Sequence, residues 1–200
     1  MRRPPAREWY ARGAVEVAPR LLNKVLVAGD TEGRIVEVEA YMGGDDPGSH
    51  AFRGQTRRNA TMFGPAGHLY VYFTYGMHWC ANVVCGEEGV ATAVLLRALA
   101  PLEGVEVMRV RRPAARRDVD LCSGPAKLCQ ALGVDGSFDG ADLVTGRQGL
   151  LVVDDGTPPP AQPVRTSRIG VTAGGDRRWR WYVKGEPNVS KHRPGGPSVY

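Results

Sequence analysis

A chain of 200 residues, 42% of them hydrophobic, is long enough for one domain with one sizeable core and too apolar to be disordered. Its net charge is +5 and its pI about 9.2, and only Lys24, Lys127, Lys184 and Lys191 supply lysine among 26 basic residues. Such an arginine excess suits phosphate oxygens and points to a polyanionic partner, with an arginine-rich solvated surface as the plain alternative.

No apolar run approaches the ~18 residues of a transmembrane helix, and none follows the basic start Met1-Arg2-Arg3. A cytoplasmic protein without a secretory signal is expected. The cysteines Cys80, Cys85, Cys122 and Cys129 are spaced C-x4-C and C-x6-C, which fits no zinc pattern. They read as reduced, buried thiols, and no metal site is expected.

In chain order, residues 14–23 predict a short helix limited by Pro19, and 24–28 and 33–41 predict two strands of a hairpin. Residues 42–68 form a long loop rich in Gly, Asp and Arg, a length usually kept for function. Three strands follow at 69–74, 79–85 and 90–99, with turns at 75–77 and 86–89. Pro101 is expected to end the third strand, and 102–112 shows a helical period up to Pro113. A short helix at 126–132 can be capped by Gly133. Residues 150–153 read as a strand, 156–163 as a proline-rich loop, and 168–172 and 179–183 as the last strands; 192–200 is a ragged tail. The fold class is α+β, one domain over 1–200 with its core at about 14–190. A curved, mostly antiparallel sheet would carry flanking helices and a protruding hairpin.

The strand 33–41 holds the first chemical signal. Alternation places Ile35, Glu37, Glu39 and Tyr41 on one face and Val36, Val38 and Ala40 on the core face. Two carboxylates beside an aromatic ring could do acid–base work, or could be a solvated strand face; alternation does not choose between Glu37 and Glu39. Tyr70, Tyr72, Phe73 and Tyr75 lie within six residues, with Trp79 close behind. Tyrosines near arginines can hold nucleobases, and they can equally be ordinary core aromatics.

Ordered combination makes these pieces specific. The chain runs Glu39-Ala40-Tyr41, His50, Arg57-Arg58-Asn59, Met62-Phe63, Leu69-Tyr70-Val71-Tyr72, Tyr75-Gly76-Met77, Asn82 and Leu95-Leu96-Arg97-Ala98-Leu99. It continues with Gly124-Pro125-Ala126-Lys127-Leu128 and Trp181-Tyr182-Val183-Lys184-Gly185. From about residue 14 to 190 this series resembles the alkyladenine (3-methyladenine) DNA glycosylase family.

The resemblance implies roles. Glu39 would position and deprotonate the attacking water, with Glu37 a supporting or surface residue. Tyr41 would stack on one face of a flipped purine, and His50 and Tyr72 would cover the other. Asn82 would crowd the purine 2-position and reject the amino group of guanine. Arg97 would lie near the water and the target phosphate. Tyr75 would wedge into the minor groove, with Met62 lining the same groove. Thr56, Arg58 and Lys127 are candidate phosphate contacts; the arginines of 109–117 either help electrostatically or are a solvated helix end.

The pocket motif brings no nucleophilic lysine, so the implied enzyme is a monofunctional, cofactor-free, monomeric glycosylase acting on duplex DNA and opening base excision repair. Its lesions would be 3-methyladenine, 7-methylguanine, hypoxanthine or ethenoadenine. His78, Trp79 and the turn 86–89 depart from the family pattern, which leaves lesion range open. Three alternatives remain: a specialist for a bulky or crosslinking adduct, a non-catalytic binder of damaged DNA, and an enzyme acting on free nucleotides.

Overall fold

A computed structural model describes residues 2–191, so the expected tail at 192–200 lies outside them. Helices α1 (Arg7–Tyr10) and α2 (Ala14–Leu21) lead into strands β1 (Val25–Ala28), β2 (Thr31–Met42), β3 (Leu69–Thr74), β4 (His78–Cys85) and β5 (Thr92–Glu103). Helices α3 (Val105–Arg111) and α4 (Pro125–Leu132) follow, then strands β6 (Leu150–Val153), β7 (Val164–Thr166) and β8 (Arg180–Tyr182). All pairings among the strands are antiparallel, in the order β3-β4-β5-β2-β1-β6. Strand β8 pairs with Glu37–Glu39 on the edge of β2 that β1 leaves, and β7 pairs beyond it. The middle of β2 is thus flanked by β5 and β8 and paired on both edges.

Amphipathic spacing explains the packing. Ala14, Val17, Ala18 and Leu21 form one face of α2 and are buried, as are Leu128, Cys129, Ala131 and Leu132 of α4. They meet Val38, Leu96 and Leu99 from the sheet in the main core. Truncating any of these leucines to alanine costs about 2–5 kcal/mol. Gly133 ends α4 in the left-handed region, its N–H returned to Cys129 and Gln130 carbonyls, as expected. All four cysteines are free and buried. Among the described residues no helix is long and apolar enough to cross a membrane.

Three expectations are corrected. Strand β5 runs through Pro101 to Glu103, because β4 stops pairing at Leu95 and Pro101 sits opposite an irregularity in β2, where its missing N–H breaks no regular ladder. The next helix therefore starts at Val105 rather than 102. Gly104 makes the junction at φ 68°, where a Cβ would stand 2.3 Å from the Asp30 carbonyl. Residues 168–172 are not a strand: their polar groups serve side chains of β2 and the loop after it, described next.

Candidate active site

The carboxylate face of β2 depends on a bulge. Opposite β5, Ile35 pairs with Leu99 and Glu37 with Ala98, which leaves Val36 as an extra residue. Ile35 therefore joins Val38 and Ala40 in the main core instead of sharing the face of Glu37 and Glu39. That face is not solvated either, since both carboxylates are fully buried.

Burying two carboxylates is tolerable only if they are ionically matched and hydrogen-bonded. Arg97 of β5, itself buried, donates from Nε to Glu37 at 3.1 Å and from Nη1 to Glu39 at 3.3 Å. Glu37 also accepts from Arg180 Nε at 2.6 Å, Ser190 Oγ at 2.9 Å and the Ser190 amide at 2.7 Å. Burial pushes the Glu37 carboxyl up, but Arg97, Arg180 and the Ser190 bonds outweigh it and hold it below the usual range. Burial alone would favour a neutral Arg97; the two glutamates overcome this and keep it charged.

Glu39 is held differently. It accepts from the Ile169 amide at 2.7 Å, the Tyr41 hydroxyl at 2.9 Å and Arg97. A carboxylate has about four acceptor positions. Among the described residues Glu37 receives four donors, three on Oε1 and only the Ser190 amide on Oε2, and Glu39 three, with only the Ile169 amide on Oε1. Of the two, Glu39 is the one also bonded to the aromatic residue Tyr41.

Beyond Glu39 lies an aromatic set. The His50 ring meets Tyr72 edge-on at 4.5 Å, and its Nδ1 lies 3.2 Å from the Tyr70 hydroxyl. Burial, helped by Arg58, lowers the His50 pKa to about 4, so the ring is neutral at neutral pH. Tyr41 and Tyr72 each expose only 2% of their surface, whereas His50 is partly exposed. Asn82 is buried among them rather than solvated, its Nδ2 directed at the Tyr70 carbonyl. Met62, expected to line a groove, is instead buried in the same cluster as Tyr41 and Tyr72, because the turn Ala60–Phe63 directs it inward.

The expected phosphate contacts are dispersed. Thr56 is exposed and bonds Asn59, whose amide ties the loop to the His50 and Gly54 carbonyls. Arg58 donates to the Phe73 carbonyl and lies over the Tyr72 ring at 5.6 Å. Lys127 lines a cavity of about 640 Å³ together with Arg97, Arg117, Ser123, Ser190 and Lys191. Through Gly124–Lys127 this cavity adjoins an apolar hollow beneath Tyr75. One groove thus connects the buried charges to the tip of the β3–β4 hairpin. Of the arginines in 109–117, Arg109 pairs with Glu106 and Asp118, and Arg117 pairs with Asp120, which favours the solvated-helix-end reading for those two.

At the tip, Tyr75 and Gly76 both have positive φ, and the Met77 amide donates to the Thr74 carbonyl, as a tight I′-type turn requires. A tyrosine at φ 52° is strained. The turn presents Tyr75 half-exposed, flanked by Phe73 and Met77.

The residues missed from sequence are Asp46, Arg168, Ile169, Arg180 and Ser190. They reach β2 across 130, 143 and 153 residues of chain for Ile169, Arg180 and Ser190, and no local spacing announces them. Among the described residues no group of three or more His, Cys, Asp or Glu side chains is placed to hold a metal ion.

Comparison with known proteins places the chain in one family. The sequence profile of methylpurine-DNA glycosylase (MPG) matches residues 8–187. A protein of Burkholderia lata carrying the 3-methyladenine DNA glycosylase name is 58% identical over 92% of this chain and 89% of its own. Proteins of the same name from Streptomyces avermitilis and Carboxydothermus hydrogenoformans are 51% and 47% identical, covering 98% and 92% of this chain and 95% and 97% of their own. The chain belongs to the methylpurine-DNA glycosylase family.

Proposed function

We propose that this chain is a monofunctional glycosylase that flips alkylated or deaminated purines out of duplex DNA and hydrolyses the bond to the sugar with water. The observation carrying the reading is Glu39: a buried carboxylate bonded to the Tyr41 hydroxyl, whose Oε1 accepts, among the described residues, only from the Ile169 amide. Breaking an N-glycosidic bond builds positive charge on the sugar. A fixed carboxylate stabilises that charge and accepts the proton of the attacking water. Arg97 donates to Glu39 and, from the floor of the groove, faces the phosphate side. Among the described residues the hydrogen-bond partners of Glu39 are arginine, tyrosine and a backbone amide; the nucleophile in this reading is water, and no cofactor is invoked.

Tyr41 stacks on the flipped base, with His50 and Tyr72 opposite, and the rings part to admit it. Asn82 crowds the purine 2-position against guanine. Tyr75 fills the gap left in the helix, offsetting part of the few kcal/mol that flipping costs. Lys127, Arg58 and Thr56 meet the backbone. Hypoxanthine and ethenoadenine join 3-methyladenine and 7-methylguanine as substrates, and the enzyme acts as a monomer.

The test is incubation of excess protein with duplexes carrying one hypoxanthine or one ethenoadenine, followed by hot alkali. Strand cleavage by the wild type and none by Glu39→Gln supports the reading. Binding without base release by the wild type would replace it with a specialised adduct or a non-catalytic role.

A further inference from the structure

Tyr41 carries a cation on one of its faces. The Arg168 guanidinium lies 4.5 Å from the Tyr41 ring centre and 5.3 Å from that of Trp179. The Arg168 side chain has no exposed surface. It donates to both Asp46 oxygens, at 2.5 and 2.7 Å, to the Ala40 carbonyl at 3.1 Å and to the Gly174 carbonyl at 3.3 Å. Burial works against its charge, but Asp46, Tyr41 and Glu39 keep it protonated. Gly48 is part of the clamp, since a Cβ there would stand 2.8 Å from Arg168 Nη2 and 2.6 Å from Val171.

A ring face covered by so enclosed a group cannot receive a base. A purine stacked on Tyr41 therefore takes the opposite face, and the ring lies between a fixed cation and the base. Aromatic faces attract cations through their quadrupole. A ring already polarised toward Arg168 offers less attraction to a second positive charge, and the two charges repel across it. Asp46 neutralises the pair at a distance, but the pole touching the ring is the positive one.

We propose that Arg168 is a specificity-determining residue of the base pocket: from behind Tyr41 it weakens the preference for cationic, ring-alkylated purines and so favours neutral lesions such as hypoxanthine. The proposal rests on the reading that Tyr41 stacks on the base.

The test uses the full chain in a Glu39→Gln background, so that binding is measured without base release, on duplexes with one hypoxanthine or one 7-methylguanine. The cost of opening each duplex belongs to the DNA and cancels when variants are compared. Arg168→Met combined with Asp46→Asn removes both charges, and Arg168→Gln combined with Asp46→Asn is a second neutral variant should the first not fold. Arg168→Lys keeps the charge but loses the planar fork. Neutral variants are expected to shift the affinity ratio about fivefold toward 7-methylguanine, the size of one cation–ring contact. Arg168→Lys is expected to weaken both duplexes and leave the ratio unchanged. A ratio unmoved in a folded neutral variant, or moved equally by Lys, would overturn the proposal and leave Arg168 a brace. Tyr41→Leu separates the underlying reading: unchanged affinity for both duplexes there removes the stacking itself, whatever Arg168 does.

Discussion

Glu37, Glu39 and Arg97 expose at most 3% of their surface, whereas Phe73, Tyr75 and Met77 at the hairpin tip expose 43%, 50% and 67%. Both regions border one groove. The carboxylates sit on a strand paired on both sides, and every charge has a partner from a different part of the chain. The tip rests on a two-strand ladder and holds a strained tyrosine clear of the core. In the proposed reading, chemistry that needs fixed charge is placed where the fold is over-determined. Recognition that would enter another molecule is placed where little else would be disturbed.

That contrast predicts opposite penalties. Arg97→Met leaves two buried carboxylates without their shared cation, so denaturant unfolding should show a loss of about 3–5 kcal/mol, alongside a collapse of base release. A stable, active variant would break the comparison from the buried side. Tyr75→Gly removes the proposed wedge and relieves the positive-φ strain. Its affinity for a lesion duplex should fall by about 1–3 kcal/mol while the melting temperature does not drop. A melting temperature that falls with affinity would make the tip structural.

Smaller effects sharpen the border between the regions. Lys127→Ala should lower the slope of log affinity against log salt by about 1, on lesion and undamaged duplex alike. An unchanged slope would remove Lys127 from the phosphate contacts. His50 is neutral when folded, with a pKa lowered from 6.5 to about 4, so below pH 6.5 the unfolded chain binds the extra proton first. Stability should therefore be complete above pH 6.5 and decline as pH falls toward 4. Melting followed only from pH 6.5 to 5 stays above most carboxylate titration, and His50→Asn should flatten that segment. An equal slope in the variant would assign it elsewhere.

Legibility in sequence divides along the same line. The hairpin was readable because Tyr75-Gly76 between two aromatic strands is a local signal, and Glu39-Ala40-Tyr41 because the family motif is contiguous. The burial of Glu37 and Glu39 was not, since it is made by Arg97, Arg180, Ile169 and Ser190, which only the folded sheet brings together. Alternation misplaced Ile35 because the bulge at Val36 shifts the period. Pro101 misled because its edge position removes the usual cost of a proline in a strand. Residues 168–172 looked like a strand because apolar and polar residues alternate there, while their polar groups are spent on Glu39, Asp46 and Ala40.

The central claim is that two adjacent buried carboxylates have different work, Glu37, tied to Arg97, Arg180 and Ser190, holding Arg97 in place, and Glu39, tied to Tyr41, activating water. Single-turnover base release from a hypoxanthine duplex by Glu39→Gln and Glu37→Gln, with duplex affinity measured on the same samples, tests it most directly. Glu39→Gln should bind like the wild type and release base at least about a thousandfold more slowly, the upper part of the range for a lost general base. Glu37→Gln should slow release by about tenfold, as the loss of a positioning contact does. Equal losses in the two variants, or base release surviving in Glu39→Gln, would contradict the account.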